Sequence, residues 1–245
     1  MAARFFDNQP FVAGQQFELG DAASHHISKV LRMNRGDALL LFNGTGGEWQ
    51  AVIEEVRKKT VVVEVTAFTA TNRHPPLAAR LLLPLLKADR LDYALQKSVE
   101  LGVSAIQLLI TERTEGRFSH DKLEKKMQHW QQVIISACEQ CGLNILPDLL
   151  PPLRLADVLS EMQNTPSLKL IAHPGEQPLS QRLVLNANKI DLLTGPEGGF
   201  STAEITLAQA AGFQCFALGE RVLRAETAPP VLLAALWAIR EFPAA

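Results

Sequence analysis

From residue 77 onward the chain alternates short apolar runs with helix-forming stretches, and this alternation limits the possible fold more than any other feature. Leu81–Leu86, Ala105–Ile110, Leu168–Ala172, Lys189–Thr194 and Phe213–Leu218 read as strands. Asp89–Leu101, Asp121–Cys141, Leu179–Leu185, Ala203–Ala211 and Pro229–Glu241 read as helices. The clearest is Asp121–Cys141, where Leu123, Met127, Trp130, Ile134, Ala137 and Cys141 recur at three- and four-residue spacing on one face. Gly102 sits where the Asp89–Leu101 helix needs a left-handed C′ residue. Strands that are apolar on both faces and separated by helices pair in parallel and are covered on both sides, so the expected class is α/β with a mostly parallel sheet. In such sheets ligands bind in loops beyond the strands' carboxyl ends.

The first 70 residues obey a different pattern. Ala38–Phe42, Glu48–Val56 and Thr60–Phe68 are short strand candidates, with a turn at Asn43–Gly47 and Val61, Val63 and Val65 alternating with Val62, Glu64 and Thr66. Asp21 reads as the N-cap of a short helix through Leu31. Together these suggest a small barrel or sandwich. The polar, proline-bearing stretch Thr69–Pro76 marks the change. The division expected is therefore a β-rich domain over 1–70, a linker over 71–76 and an α/β domain over 77–245.

Composition narrows the function classes. With 47% hydrophobic and 20% charged residues among 245, the chain is typical of soluble globular proteins. Neither Leu81–Leu86, which contains Pro84, nor Val231–Ile239 approaches the roughly 20 apolar residues that span a bilayer. The start, Met1–Asp7, has no uninterrupted apolar core, so a cytoplasmic protein with no membrane partner is expected. Three cysteines do not suggest a disulfide framework, and Cys138 and Cys141, a C-x-x-C without a second pair, give no metal site. His25-His26 also lacks ligand spacing, and Gly44–Gly47 lacks the Lys-Ser/Thr of a phosphate loop. No G-x-G-x-x-G occurs, so a Rossmann dinucleotide site has no support. The net charge of −2 means that any nucleic-acid affinity must come from local basic patches.

Two loops stand out. Leu192–Ser201 carries three glycines and a proline directly after an apolar strand, and Ser201-Thr-Ala-Glu204 is a capping-box sequence that feeds it into a helix. Leu218–Pro230 again leaves a strand at a glycine, then places Glu220, Arg221, Arg224 and Glu226 ahead of the last helix, with Thr227 suited to its N-cap. Taken singly, the first is compatible with an ordinary strand-to-helix turn and the second with a salt-bridged loop. Together they suggest a binding site. Basic residues at Arg113, Arg117, Lys122, Lys125 and Lys126 alternate with acidic ones, as on a solvated helix entrance; Lys87 and Arg90, after the first α/β strand, are better placed to meet a phosphate backbone.

At these loops the chain resembles the SPOUT methyltransferases, and specifically the family that methylates N3 of a uridine in 16S ribosomal RNA. The resemblance runs through Arg4–Phe6, His26–Asp37 with Val30–Met33, Gln96–Gly102, Glu112-Arg113, Trp130–Gly142, Gly195–Gly199 and Leu218–Ala228. The last two segments are the most specific. Leu143 departs from the family's arginine, and Ala225 from its usual threonine.

The resemblance implies a PUA-like β-barrel followed by an α/β domain with a trefoil knot, acting as a homodimer on 16S ribosomal RNA within the small subunit, with S-adenosylmethionine as cofactor. The cofactor is then expected among His173, Leu193, Thr194, Gly195, Glu197, Gly198, Gly199, Leu218, Gly219, Arg221, Val222, Leu223 and Thr227. Arg224 is the expected stabiliser of a deprotonated uracil oxygen, with Glu226 accepting the proton or orienting Arg224. Arg4, Lys29, Arg32, Arg35, Lys87, Arg90 and Arg113 are expected to contact RNA. Alternatives that remain open are a SPOUT enzyme acting on another RNA, a non-catalytic RNA-binding or assembly factor, and a phosphate-binding metabolic enzyme.

Overall fold

The computed structural model describes residues 2–114 and 120–241, save the side chains of His120 and Arg182; Glu115 and Arg117 of the basic stretch lie outside the described residues. The chain divides into two compact units, Met1–His74 with Ile135–Leu146, and Pro75–Ile134 with Pro147–Ala245. The division differs from a boundary drawn along the sequence in that Ile135–Leu146 returns to the first unit. Short-range hydrogen bonds hold it there: Asn144 Nδ2 donates to the Thr71 carbonyl at 2.6 Å, and the Phe6 amide donates to Glu139 Oε1 at 3.0 Å.

In the first unit, strands β1 (Ala3–Phe6), β2 (Gln16–Glu18), β3 (Ala38–Phe42), β4 (Glu48–Val56) and β5 (Val61–Thr69) form one sheet in the order β1-β3-β4-β5-β2. β1 pairs with β3 in parallel and the other pairs are antiparallel. Alternation is what builds the core: Val61, Val63 and Val65 point inward with Phe5, Leu39, Leu41 and Ile53. Register shifts at Gln50/Ala51 and Ile53/Glu55 increase the local bend and twist of β4. Helix α1 (Asp21–His25) runs into a π-helical turn over His26–Val30, after which Arg32 takes a left-handed φ of 52°. Asp21 is not the N-cap. Gly20 holds that position without a side-chain bond, and the buried Asp7 carboxylate accepts the Gly20 amide at 2.6 Å. His25 is exposed, while His26 is half-buried edge-on to Phe5.

Arg4 was expected to contact RNA. Its side chain is only 10% exposed and donates to Glu48 at 2.5 Å and to the carbonyls of Gly142 and Leu143. Arg73 joins the same carboxylate at 2.8 Å. Hydrogen bonding from Arg73, then from Arg4, holds the Glu48 carboxyl down at about 2, although burial opposes it. The guanidinium of Arg4 is thus committed inside the unit, and an RNA phosphate cannot reach it without breaking that network.

The second unit contains β6 (Ala78–Pro84), α2 (Ala88–Glu100), β7 (Ala105–Ile110), most of α3 (His120–Cys141), β8 (Asp148–Arg154), α4 (Leu155–Met162), β9 (Leu168–Ala172), α5 (Gln181–Leu185), β10 (Lys189–Leu193), α6 (Thr202–Ala210), β11 (Gln214–Phe216) and α7 (Ala228–Glu241). All pairings are parallel, in the order β11-β9-β10-β6-β7-β8. The middle strands are largely apolar, with Leu81–Leu83, Leu192 and Leu193 fully buried, and Arg80 of β6 pairs with Asp191 of β10 at 2.6 Å. β8 is a correction to an unassigned stretch. Its Pro151 and Pro152 obscure it in sequence, but they are tolerated because β8 is the edge strand. Gly102, at φ +73°, closes α2 as the sequence requires. Among the described residues no helix is long and apolar enough to cross a membrane.

Candidate functional site

β9 lies between β11 and β10, and all three strands run the same way. Their carboxyl ends therefore deliver three loops to one side of the sheet: the His173 loop, the glycine loop after Leu193 and the arginine loop after Phe216. Together with Arg90 near the start of α2, they enclose a cavity of about 540 Å³. That is the size of an ordinary small-molecule site, roughly 300–1,000 Å³.

Most of the residues expected at a ligand line this cavity. His173, Gly195, Glu197, Gly199, Leu218, Gly219, Arg221, Val222, Leu223 and Arg224 are all in its wall. Leu193, Thr194, Gly198, Thr227 and Glu226 are not among the lining residues. Leu193 and Thr194 are fully buried, and the Thr194 hydroxyl has no hydrogen-bond partner. Thr227 precedes α7, where its carbonyl accepts the Val231 amide. Pro174, Phe200, Phe216, Ala217 and Leu232 line the wall without having been expected. Phe216 and Leu232 read in sequence as strand and helix core, which gives no hint that one edge faces a ligand.

Local chemistry accounts for the loop shapes. Ser201 and Glu204 form the capping box: the Glu204 amide donates to Ser201 Oγ at 3.2 Å, and the Ser201 amide donates to Glu204 Oε2 at 2.9 Å. The other oxygen of Glu204 accepts the Glu112 amide at 2.9 Å, which ties the end of the glycine loop to the segment after β7. Gly199 has a φ of +70°, a conformation that favours glycine. A Cβ on Gly198 would come within 3.2 Å of the Arg113 stem.

Arg113 and Arg90, both expected to contact RNA, turn toward the glycine loop. Arg113 Nη1 donates to the Gly198 carbonyl at 2.6 Å. Arg90 Nη1 donates to Glu197 Oε1 at 3.4 Å, and its Nε lies 3.9 Å from Glu226 Oε1. The same Glu197 oxygen accepts the Lys87 amide at 3.2 Å. Glu226 was expected to accept a proton or to orient Arg224. Its ion pair is with Arg90, and its Oε2 is buried without a partner. Arg224 itself is exposed in the cavity wall and has no ion-pair partner among the described residues.

Of the remaining residues expected at RNA, Lys29, Arg32, Arg35 and Lys87 are exposed, and Arg35 pairs with Glu54 at 3.3 Å. Cys138 is buried, and burial pushes its thiol up to about 12, so it stays protonated at neutral pH.

The cavity suits a largely apolar ligand with a few polar groups. Val222, Leu223, Leu218 and Phe200 offer flat apolar contact, while backbone at Gly195, Gly199 and Gly219 is open to approach. An adenosine with a short charged tail fits this set, which offers apolar side chains, backbone groups and the polar side chains of Arg221 and His173.

Two family profiles match the chain. A profile described as an RNA methyltransferase domain matches residues 73–237, and one described as an RNA methyltransferase PUA domain matches residues 19–66. A Legionella pneumophila methyltransferase solved with bound cofactor SAM is 40% identical, with 97% of this chain and 98% of that one covered and a TM-score of 0.92. The ribosomal RNA small subunit methyltransferase E of Neisseria gonorrhoeae, solved with S-adenosyl methionine, is 34% identical over 99% of this chain and all of that one, with a TM-score of 0.90. The protein of the same name from Synechocystis is 34% identical, with 91% of this chain and 73% of that one covered.

Proposed function

The chain belongs to the RNA methyltransferase family, and on that premise we propose that it methylates N3 of a uridine in 16S ribosomal RNA, using S-adenosylmethionine. The observation that carries this reading is the meeting of the glycine and arginine loops in one cavity at the carboxyl ends of β9, β10 and β11. Relatives solved with the donor, at TM-scores of 0.90 and 0.92, support the choice of ligand. The name of the Neisseria relative supports small-subunit ribosomal RNA as the substrate class. The resemblance to the SPOUT enzymes further implies a homodimer, a cytoplasmic location and a trefoil-knotted path through the second unit.

When bound, S-adenosylmethionine would supply a methyl carbon on a positively charged sulfur: uracil N3, its proton released to solvent, attacks that carbon in line as the C–S bond breaks and S-adenosylhomocysteine leaves as a neutral thioether. The residues of the chain then have three tasks. Backbone groups of Thr194–Gly199 and Leu218–Leu223 hold the adenosine, with Leu218, Val222 and Leu223 packed on its apolar faces. Phe200 and Pro196 help keep water from that side. Arg224, exposed and without an ion-pair partner, stabilises the oxygen of a uracil that has lost its N3 proton. Because N3 points into a base pair when the base is paired, the target uridine is unpaired or flipped out. The first unit, through Lys29 and Arg32, meets the RNA backbone.

Mapping of 16S ribosomal RNA from cells lacking the protein tests the reading. Loss of one uridine N3-methyl mark, restored by the wild-type chain, is expected. An unchanged 16S methylation pattern, with a mark lost from another RNA, would overturn the substrate.

A further inference from the structure

Of the residues expected to contact RNA, Arg90 lines the cavity, and its surroundings differ from those of an RNA-contacting side chain. Its guanidinium stands between two carboxylates that belong to different loops, Glu197 of the glycine loop at 3.4 Å and Glu226 of the arginine loop at 3.9 Å. Glu197 also accepts the amide of Lys87, the N-cap of α2, which has no side-chain cap of its own. The partial positive charge of that helix start and the guanidinium of Arg90 therefore draw the same carboxylate. Glu226 is more deeply placed, with its side chain 14% exposed, and its second oxygen is buried without a partner.

We propose that Arg90 is a positioning residue which, shared between Glu197 and Glu226, clamps the glycine and arginine loops into a single donor pocket. The proposal rests on the assignment of that cavity to S-adenosylmethionine. Arg90 is itself 39% exposed, so its ion pairs contribute little to global stability. Their effect is local. Without Arg90, Glu226 is a nearly buried carboxylate with no counter-charge, and it is stabilised by moving toward solvent and drawing the arginine loop away from the glycine loop. Lysine keeps the charge but lacks the planar fork that reaches two acceptors at once, so it restores the clamp only in part.

The test measures binding of S-adenosylmethionine and of 16S ribosomal RNA separately, by the full chain. Arg90→Ala is expected to weaken donor binding about tenfold, and Arg90→Lys about threefold. RNA affinity and its salt dependence are expected to stay at wild-type values, and the melting temperature without ligand to stay near that of wild type. Adding Glu226→Gln to Arg90→Ala is expected to cost less donor affinity than the same change costs in wild type, because the two act through one contact. Unchanged donor binding in Arg90→Ala would overturn the proposal. So would a loss of RNA affinity with a shallower salt slope, which would make Arg90 a phosphate contact instead. A wild-type chain that does not bind the donor at all would overturn the donor reading and the clamp together, whereas a failure confined to the variants overturns the clamp alone.

Discussion

Arginines in this chain differ in what their guanidinium groups are committed to. Arg4 is held by Glu48 and two carbonyls, Arg113 by the Gly198 carbonyl and Arg90 by two glutamates, whereas Arg224 stands in the cavity wall without an ion-pair partner among the described residues. Arg224→Ala is therefore expected to leave donor affinity within about threefold while kcat falls about a hundredfold, the scale of losing one donor to a developing anion. Calorimetry and single-turnover kinetics check the two halves; wild-type turnover would remove Arg224 from the chemistry. Glu48 gives a second prediction. Its folded pKa of about 2 lies below the ordinary 4.5, so its stabilisation is full above pH 4.5 and is lost as pH falls toward 2. Glu48→Gln should destabilise the fold by about 2–3 kcal/mol at pH 7. Urea denaturation should show that difference shrinking between pH 4.5 and pH 3. The arginine-bearing loop was legible in the sequence because its residues are contiguous. The partners of Arg4, Arg90 and Arg113 were not, since spacing along a chain does not show which carboxylate or carbonyl a long side chain reaches across the fold.

Elements that carry their own signals were the ones readable in advance. Ala105–Ile110 and Leu168–Ala172 match β7 and β9 residue for residue, because each is a short, mostly apolar run interrupted by a single polar residue, Gln107 or Lys169. The Ser201 capping box is likewise present as its four residues imply. Ser201→Ala should cost about 1 kcal/mol, read from the urea midpoint, and should loosen the start of α6 where the glycine loop ends. A change below a few tenths of a kcal/mol would mean that packing alone fixes that helix start. β8, β1 and β2 were missed for physical reasons. β8 holds two prolines that only an edge strand tolerates, and β2 has only three residues and pairs only with β5. β1 is a parallel partner of β3, a pairing for which a strand pattern joined by tight turns gives no cue.

At the scale of the whole molecule, the α/β class and its parallel sheet followed from strand–helix alternation, but the return of Ile135–Leu146 to the first unit did not. Residues 135–141 read as the end of one continuous helix, and hydrogen bonds of this segment with Phe6, Thr71 and Arg4, among others, reveal where it belongs. Removing residues 1–70 would strip Arg4 and Phe6 away, so point changes are the cleaner test of the first unit's role. Lys29→Ala with Arg32→Ala is expected to weaken RNA binding and to lower the salt slope by about 2, with donor affinity unchanged. Filter binding across a salt series checks this, and an unaltered slope would place the RNA elsewhere.

The central claim is that the loops at 194–199 and 218–224 close on one methyl donor. Amide hydrogen exchange with and without S-adenosylmethionine tests it most directly. Both loops should slow together on addition of the donor, while β3 to β5 of the first unit stay unchanged. Protection of one loop alone, or of neither at saturating donor, would contradict the account.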